Sequence, residues 1–261
     1  MVGNMSGDVS QNIEFITPNW PAAKSVHAAT TTRIGGFSQG AWQGLNLADH
    51  VGDDVENVTR NRELLSSALH LPAEPLWLKQ VHGCEVLRAT GDAPVDTIND
   101  TRGIECDASV TADSGRVCAV LTADCLPLLF CSNDGDCVAA AHAGWRGLAA
   151  GIIEQTVEQF ACTNDQILAW LGPAIGPTAF EVGDDVYEVF TGAYDAGESA
   201  FTPYDDKWLC DIYQLARDRL RRLGVEKIYG GDYCTFNDPA RFYSYRRDGI
   251  SGRMASLIWI E

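Results

Sequence analysis

The segment from Thr122 to Gly147 constrains this chain more than any other, because it reads as strand, turn, strand with chemistry at both open ends. Leu128, Leu129, Phe130 and Cys131 lead into Ser-Asn-Asp-Gly-Asp at 132–136, and Val138 with three alanines resumes an apolar run toward His142. Asp134-Gly135 is a hairpin turn signal, since both residue types tolerate the positive φ that a tight turn needs. A turn centred near residues 133 and 134 sets Cys131 opposite Asp136 and Cys125 opposite His142. Directly opposed side chains have Cβ atoms roughly 4.5–5.5 Å apart, close enough to share a proton or a metal ion. A slip of one residue would send the thiol and the imidazole to opposite faces.

With 261 residues the chain can bury a large core. Strands are expected at 26–32, 76–81, 85–88, 108–111, 117–122, 128–131, 138–142, 167–171, 228–230, 242–245 and 255–260. Helices are expected at 55–69, 148–160, 184–190 and 212–223, with Gly224 as a helix-ending residue. Strand-rich and helix-rich segments interleave, and no linker, repeat or low-complexity tract separates them. The reading is one α/β (α+β) domain over 13–261 with mixed β-sheets and flanking helices, preceded by a disordered polar tail at 1–12.

Acidic residues outnumber basic ones 36 to 19, a formal charge of −17, which argues against a nucleic-acid or anionic-membrane surface. An anionic small-molecule substrate would need a local basic cluster. Nine cysteines, an odd number set in apolar runs with no Cys-x-x-Cys pair, fit reduced thiols better than disulfides. The N-terminus lacks a basic segment followed by an apolar one, and no run of 18 apolar residues occurs. The expectation is a cytoplasmic protein, monomeric by default.

Of five histidines, His82 is the one at a strand end beside a glycine. His82, Cys125 and His142 make two imidazoles and a thiolate, a three-ligand set that leaves a fourth tetrahedral position open, as in catalytic zinc sites. Two other readings stand beside it. Cys125 could be a nucleophile with His142 as its base and no metal, or each residue could be a satisfied structural group. A multicopper centre fails on arithmetic, since it needs about ten imidazoles, many in His-x-His pairs. His27, His50 and His70 are read as structural.

Arg146, four residues after His142 and before the expected helix, is the candidate for binding phosphate or carboxylate, together with free N–H groups at that helix start. Arg33, Lys79-Gln80 and Arg246-Arg247 are weaker candidates. Trp145, Trp42 and Phe37 could stack on a flat base. Asp124, next to Cys125, points by alternation to the other face and suits capping or turn formation. Asp107 is a candidate general acid.

The blocks Thr32-Arg-Ile-Gly-Gly36, Leu45-Asn-Leu47, Gln80-Val-His-Gly83, Thr122-Ala-Asp-Cys-Leu-Pro127, His142-Ala-Gly-Trp-Arg-Gly147, Leu171-Gly-Pro-Ala-Ile-Gly-Pro177 and Phe242-Tyr-Ser-Tyr-Arg-Arg247 follow in order. On them the chain resembles the YfiH-like family, also called the laccase-domain or polyphenol-oxidoreductase family, over about residues 26–260. The resemblance implies a single catalytic α/β domain and a zinc site on His82, Cys125 and His142. It implies phosphorolysis of adenosine, inosine, guanosine and methylthioadenosine, with adenosine deamination alongside, although the His-x-Glu signature of zinc deaminases is absent. Two further activities come with the family. One is removal of L-serine from a UDP-muramoyl precursor of the cell wall. The other is a copper-dependent polyphenol oxidation, since copper(II) accepts the same donors.

Overall fold

The computed structural model describes residues 12–91, 103–193 and 197–261. Most of the expected tail, 1–11, lies outside the described residues. Two sheets form the body. The smaller is antiparallel, in the order β1 (Phe15–Ile16), β2 (Val26–Thr31), β13 (Met254–Ile260), β5 (Val117–Thr122). The larger is mixed, in the order β12 (Lys227–Gly230), β8 (Ile167–Leu171), β6 (Leu126–Ser132), β7 (Val138–Ala143), β4 (Ala108–Thr111), β3 (Val86–Arg88). Its outer pairs β12–β8 and β3–β4 are parallel, and its centre is antiparallel.

Alternation along the strands explains the layering. Cys118, Val120, Ile258 and Ile260 of the smaller sheet share one buried cluster with Leu129, Cys131, Val138, Ala140, Leu168 and Trp170 of the larger. The outer face of the smaller sheet, Ala119, Leu121 and Leu257, meets Leu65 of helix α1 (Val55–Leu69) with Leu45 and Leu47. The outer face of the larger, including Leu128, Phe130, Ala141 and Leu171, meets α2 (Trp145–Ala150), α3 (Ile152–Val157) and α5 (Ile212–Arg222). The order is helix, sheet, sheet, helices. Strands buried on both faces carry apolar residues without alternation, which is why β5 to β7 read as continuous runs. Each buried leucine or phenylalanine there contributes roughly 1.5–3 kcal/mol.

Helix ends obey local chemistry. Asp54 accepts from Glu56 N at 2.8 Å to open α1, and His70 closes it in the left-handed conformation. Asp211 opens α5, and Gly224, with φ +84, ends it while Val225 N returns to Leu220 O.

Several expectations need correction. The expected helix 148–160 begins at Trp145 and breaks at Gly151, whose φ of +100 caps α2 and starts α3. The expected strand 76–81 makes only isolated bridges, at Leu76 and Lys79. The expected strand 242–245 is a loop that buries Phe242 and Tyr243 and then enters a helical turn, Tyr245–Asp248, capped by Ser244. A third sheet, β10 (Phe201–Tyr204), β11 (Lys207–Cys210) and β9 (Glu181–Val182), packs beside helix α4 (Asp184–Ala193) and was not expected. Among the described residues no helix is long and apolar enough to cross a membrane.

Candidate metal and substrate site

The β6–β7 hairpin sets Pro127 opposite His142 and Cys131 opposite Val138, two residues from the register expected for a turn centred at 133 and 134. The turn centres one residue later, on Asp134-Gly135 itself, and is braced by Ser132. Its hydroxyl accepts from Asp136 N and Cys137 N at 3.0 and 3.1 Å and donates to Asp136 Oδ1, while Gly135 N donates to Ser132 O, so the loop spans 133–136. A slip of two preserves the face of every side chain. His142 and Cys125 therefore still share the inter-sheet side, at the end where the two sheets part.

Past the last ladder pair, Leu126 with Ala143, the chain turns at Asp124 and Gly144. A Cβ on Gly144 would stand 3.0 Å from Cys125 Sγ, 2.9 Å from His82 Cδ2 and 3.6 Å from His142 Nε2. Only glycine leaves room for the three side chains to converge. Their donor atoms lie within 4.8 Å of one another, with Cys125 Sγ 3.7 Å from His82 Nε2.

Asp107 organises this trio from behind. Its buried carboxylate accepts from His142 Nδ1 at 2.7 Å and His82 N at 2.9 Å on one oxygen, and from Val81 N at 3.1 Å and Gly83 N at 2.7 Å on the other. The first contact fixes the His142 tautomer and turns Nε2 toward Cys125. The backbone contacts hold His82 at φ +62, a left-handed conformation that a non-glycine residue adopts at a cost of roughly 1–2 kcal/mol. Burial would raise the Asp107 carboxyl, but His142 and the two loop amides bring it below its usual range. So ionised and saturated, it is a positioning group rather than a general acid. Asp124, at φ +87, caps as expected: it accepts from Thr235 Oγ1 at 2.6 Å, Ser244 Oγ at 3.0 Å and Arg246 N at 2.7 Å.

Burial opposes ionisation of Cys125, yet the charge and hydrogen bond of His142 and the hydrogen bond of His82 bring the thiol down to about 6. Burial likewise opposes the charge on His142, and the Cys125 thiolate with Asp107 raises it to about 9. Elsewhere burial pushes Cys118 and Cys131 up to about 12 and Cys137 to about 11. Cys125 alone among these is a thiolate at neutral pH.

The trio suits a metal ion. Zinc–sulfur and zinc–nitrogen bonds of about 2.3 and 2.0 Å at tetrahedral angles separate the donors by roughly 3.5 Å, near the observed spacing. One thiolate and two imidazoles are borderline-soft donors, suited to zinc and to copper. Before them opens a cavity of about 340 Å³, whose wall includes His50, Gln80, Tyr245 and Arg253.

Arg146 is not on that wall. Because the helix starts three residues earlier than expected, Arg146 sits in its first turn, exposed, with its guanidinium 4.3 Å over the Trp145 ring. The other basic candidates are structural as well. Arg33 donates to Pro239 O and Gln43 O, Arg247 to Thr235 O and Phe242 O, and Lys79 pairs with Glu105. Gln80 does line the cavity, with its amide paired to both backbone groups of Leu121 at 2.8 Å. Trp42 donates to Val51 O and Phe37 lies under Arg60. His50, read as structural, is a wall residue. Tyr245, within the block 242–247, and Arg253, which no local pattern marks, are wall residues as well.

The family model described as multi-copper polyphenol oxidoreductase laccase matches residues 27–261. A protein of Escherichia coli (strain K12) named purine nucleoside phosphorylase YfiH is 52% identical over 247 residues, 95% of this chain and 99% of that one. Purine nucleoside phosphorylase PA4543 of Pseudomonas aeruginosa is 49% identical over 249 residues, 95% and 98% of the two chains. Among crystal structures, Neisseria meningitidis protein NMB0706 matches with a TM-score of 0.89 at 46% identity, covering 95% of this chain and 99% of that one. YlmD from Geobacillus stearothermophilus matches with a TM-score of 0.83 at 32% identity, covering 92% and 94%. Similarity of this extent, across the same mixed α/β architecture, means that the chain belongs to the laccase-domain (YfiH/DUF152) family of enzymes.

Proposed function

We propose that this chain is a zinc-dependent purine nucleoside phosphorylase. With inorganic phosphate it converts adenosine, inosine, guanosine and methylthioadenosine to the free base and the pentose 1-phosphate, and it deaminates adenosine in the same cavity. The observation that carries this reading is the convergence of His82, Cys125 and His142 at one side of a nucleoside-sized cavity. The names of the relatives supply the reaction class.

In phosphorolysis a phosphate oxygen forms a bond to C1′ as the C1′–N9 bond breaks; its electron pair leaves on the purine, which then takes up a proton. His82, Cys125 and His142 would hold zinc, or copper(II) in its place, and the ion would supply a Lewis acid at the cavity wall. Cys125, ionised at neutral pH, needs no proton removed to serve as a donor. Asp107 keeps one His142 proton on Nδ1, so Nε2 is the nitrogen that would give up its proton to bind the ion. Tyr245, well exposed at the mouth, offers a ring face on which a purine can stack. The free thiols and the small-molecule reaction fit work in the cytoplasm, as a monomer.

The test is chromatographic product analysis of zinc-loaded protein with adenosine and inosine, with and without phosphate, beside a Cys125→Ala control. Phosphate-dependent release of adenine and hypoxanthine, absent in the control, is expected. Folded, zinc-loaded protein that turns over neither nucleoside would overturn the reading and turn attention to amide hydrolysis of a cell-wall precursor.

A further inference from the structure

We infer that the cavity contains a seat for inorganic phosphate built from Arg253 and Thr122. The role of that phosphate as a co-substrate rests on the phosphorylase reading; the seat itself rests on three features of the cavity.

The first is charge. The chain carries 36 acidic residues and a net charge of −17, yet none of the residues lining this cavity is acidic. Asp107 and Asp124 stand behind the wall with their oxygens engaged in hydrogen bonds, and Asp49, beside His50, faces Arg62 at 3.6 Å. In so acidic a protein, a wall free of carboxylates beside a permanent cation favours an anion.

The second is the state of Arg253. Its backbone N donates to Asn46 Oδ1 at 2.9 Å, and its Nη1 donates to Ser251 O at 2.8 Å and Gly252 O at 3.0 Å. These contacts fix the guanidinium plane through one nitrogen. Among the described residues Nε and Nη2 have no hydrogen-bond partner, and no carboxylate pairs with the group. Arg33, Arg219 and Arg247, by contrast, are tied down by carbonyls or carboxylates. An anchored guanidinium with a free edge matches two oxygens of a tetrahedral oxyanion.

The third is an orphaned hydroxyl. Thr122 ends β5 and pairs with Met254, the residue after Arg253, and Thr122 and Arg253 both line the cavity. Thr122 is 2% exposed, and its Oγ1 has no hydrogen-bond partner among the described residues. Buried hydroxyls are almost always partnered, and this one shares the cavity wall with Arg253, so an oxyanion bound there would supply the missing acceptor. Arg146 offers no such combination.

The experiment is calorimetric titration of inorganic phosphate, and separately of adenosine 5′-monophosphate, into zinc-loaded wild type, R253Q, R253K, T122V, T122S and R146A. Zinc content and Tm are measured for each variant, so that a misfolded one is recognised and R253K or T122S stands in for it. Saturable phosphate binding by the wild type is expected, weakened about tenfold or more in R253Q. It should be weaker by a smaller factor in T122V and R253K, and unchanged in T122S and R146A. The seat is refuted if folded R253Q and T122V bind phosphate as the wild type does, if the wild type binds none, or if only the nucleotide binds. Arg253-dependent phosphate binding without phosphate-dependent base release would keep the seat and remove the phosphorylase reading. Phosphate-dependent base release with an unmoved KM for phosphate in R253Q and T122V would do the reverse.

Discussion

Replacing Asp107 by asparagine alters one heavy atom, and the geometry lets its effect be worked out. One carboxylate oxygen accepts from His142 Nδ1 and His82 N, the other from Val81 N and Gly83 N. An amide has one acceptor oxygen, so two of the four contacts fail in either orientation. With its oxygen toward Val81 and Gly83, its NH₂ faces His142, which can then only accept at Nδ1; the imidazole proton moves to Nε2 and that atom ceases to be a metal donor. With its oxygen toward His142, the two loop amides that hold His82 at positive φ lose their acceptor. Two hydrogen bonds to a charged group at roughly 1.5–3 kcal/mol each give a loss of about 3–6 kcal/mol. That is a large part of a typical total stability of about 5–15 kcal/mol. Zinc affinity should fall by about 10–100-fold, the usual effect of losing the group that orients a ligand. Urea unfolding at fixed free zinc measures the first quantity and chelator competition the second. A D107N protein with wild-type stability and wild-type zinc affinity would refute the assignment of Asp107 as the organiser of the site.

Cys125→Ala and His142→Ala should each abolish zinc retention and turnover together, as read by metal analysis and product assay; a Cys125→Ala protein that keeps both would move the site elsewhere. Gly144→Ala is tolerable to the backbone, at φ −61 and ψ 156, but its Cβ would press on His82 and Cys125. It should weaken zinc binding more than it lowers Tm, with overpacking of about 1–3 kcal/mol as the upper range. In zinc-free protein, alkylation requires the thiolate, so Cys125 should react at neutral pH and stop reacting as pH falls through about 6. Cys118, Cys131 and Cys137, held up by burial, should remain silent in peptide maps of the same samples. His142→Ala removes the main group that lowers the thiol, so the midpoint of Cys125 labelling should rise toward the ordinary 9.0.

What could be read from the chain was what depends on local pattern. The strands β5, β6 and β7 are continuous apolar runs because both of their faces are buried, and α1 carries its own cap at Asp54. The trio was legible because cysteine and histidine flank a hairpin that had to bring them near each other. The register does not follow from a centre at 133 and 134: the turn falls on Asp134-Gly135, the pair best able to take positive φ, with Ser132 bracing the loop. Arg253 was invisible for a different reason. It reaches the cavity only because β13, near the end of the chain, inserts between β2 and β5. The aromatic run Phe242 to Tyr245 has strand composition, but Tyr243 Oη donates to backbone oxygens of Trp42 and Gln43, which holds that stretch as a loop. The third sheet is joined to α4 by a stack of Tyr187 and Trp208, 3.9 Å between centroids, between residues 21 apart in sequence.

The sharing of one carboxylate by His142 and the loop of His82 has a consequence for how such a site can be inherited. A lineage that drifts at position 82 or 142 gives up one donor and keeps the other in place. A lineage that drifts at 107 disturbs both at once, through a residue that touches neither the ion nor any substrate. Sequence variation that spares the three donors but reaches Asp107 should therefore mark chains that retain the fold while having abandoned the chemistry.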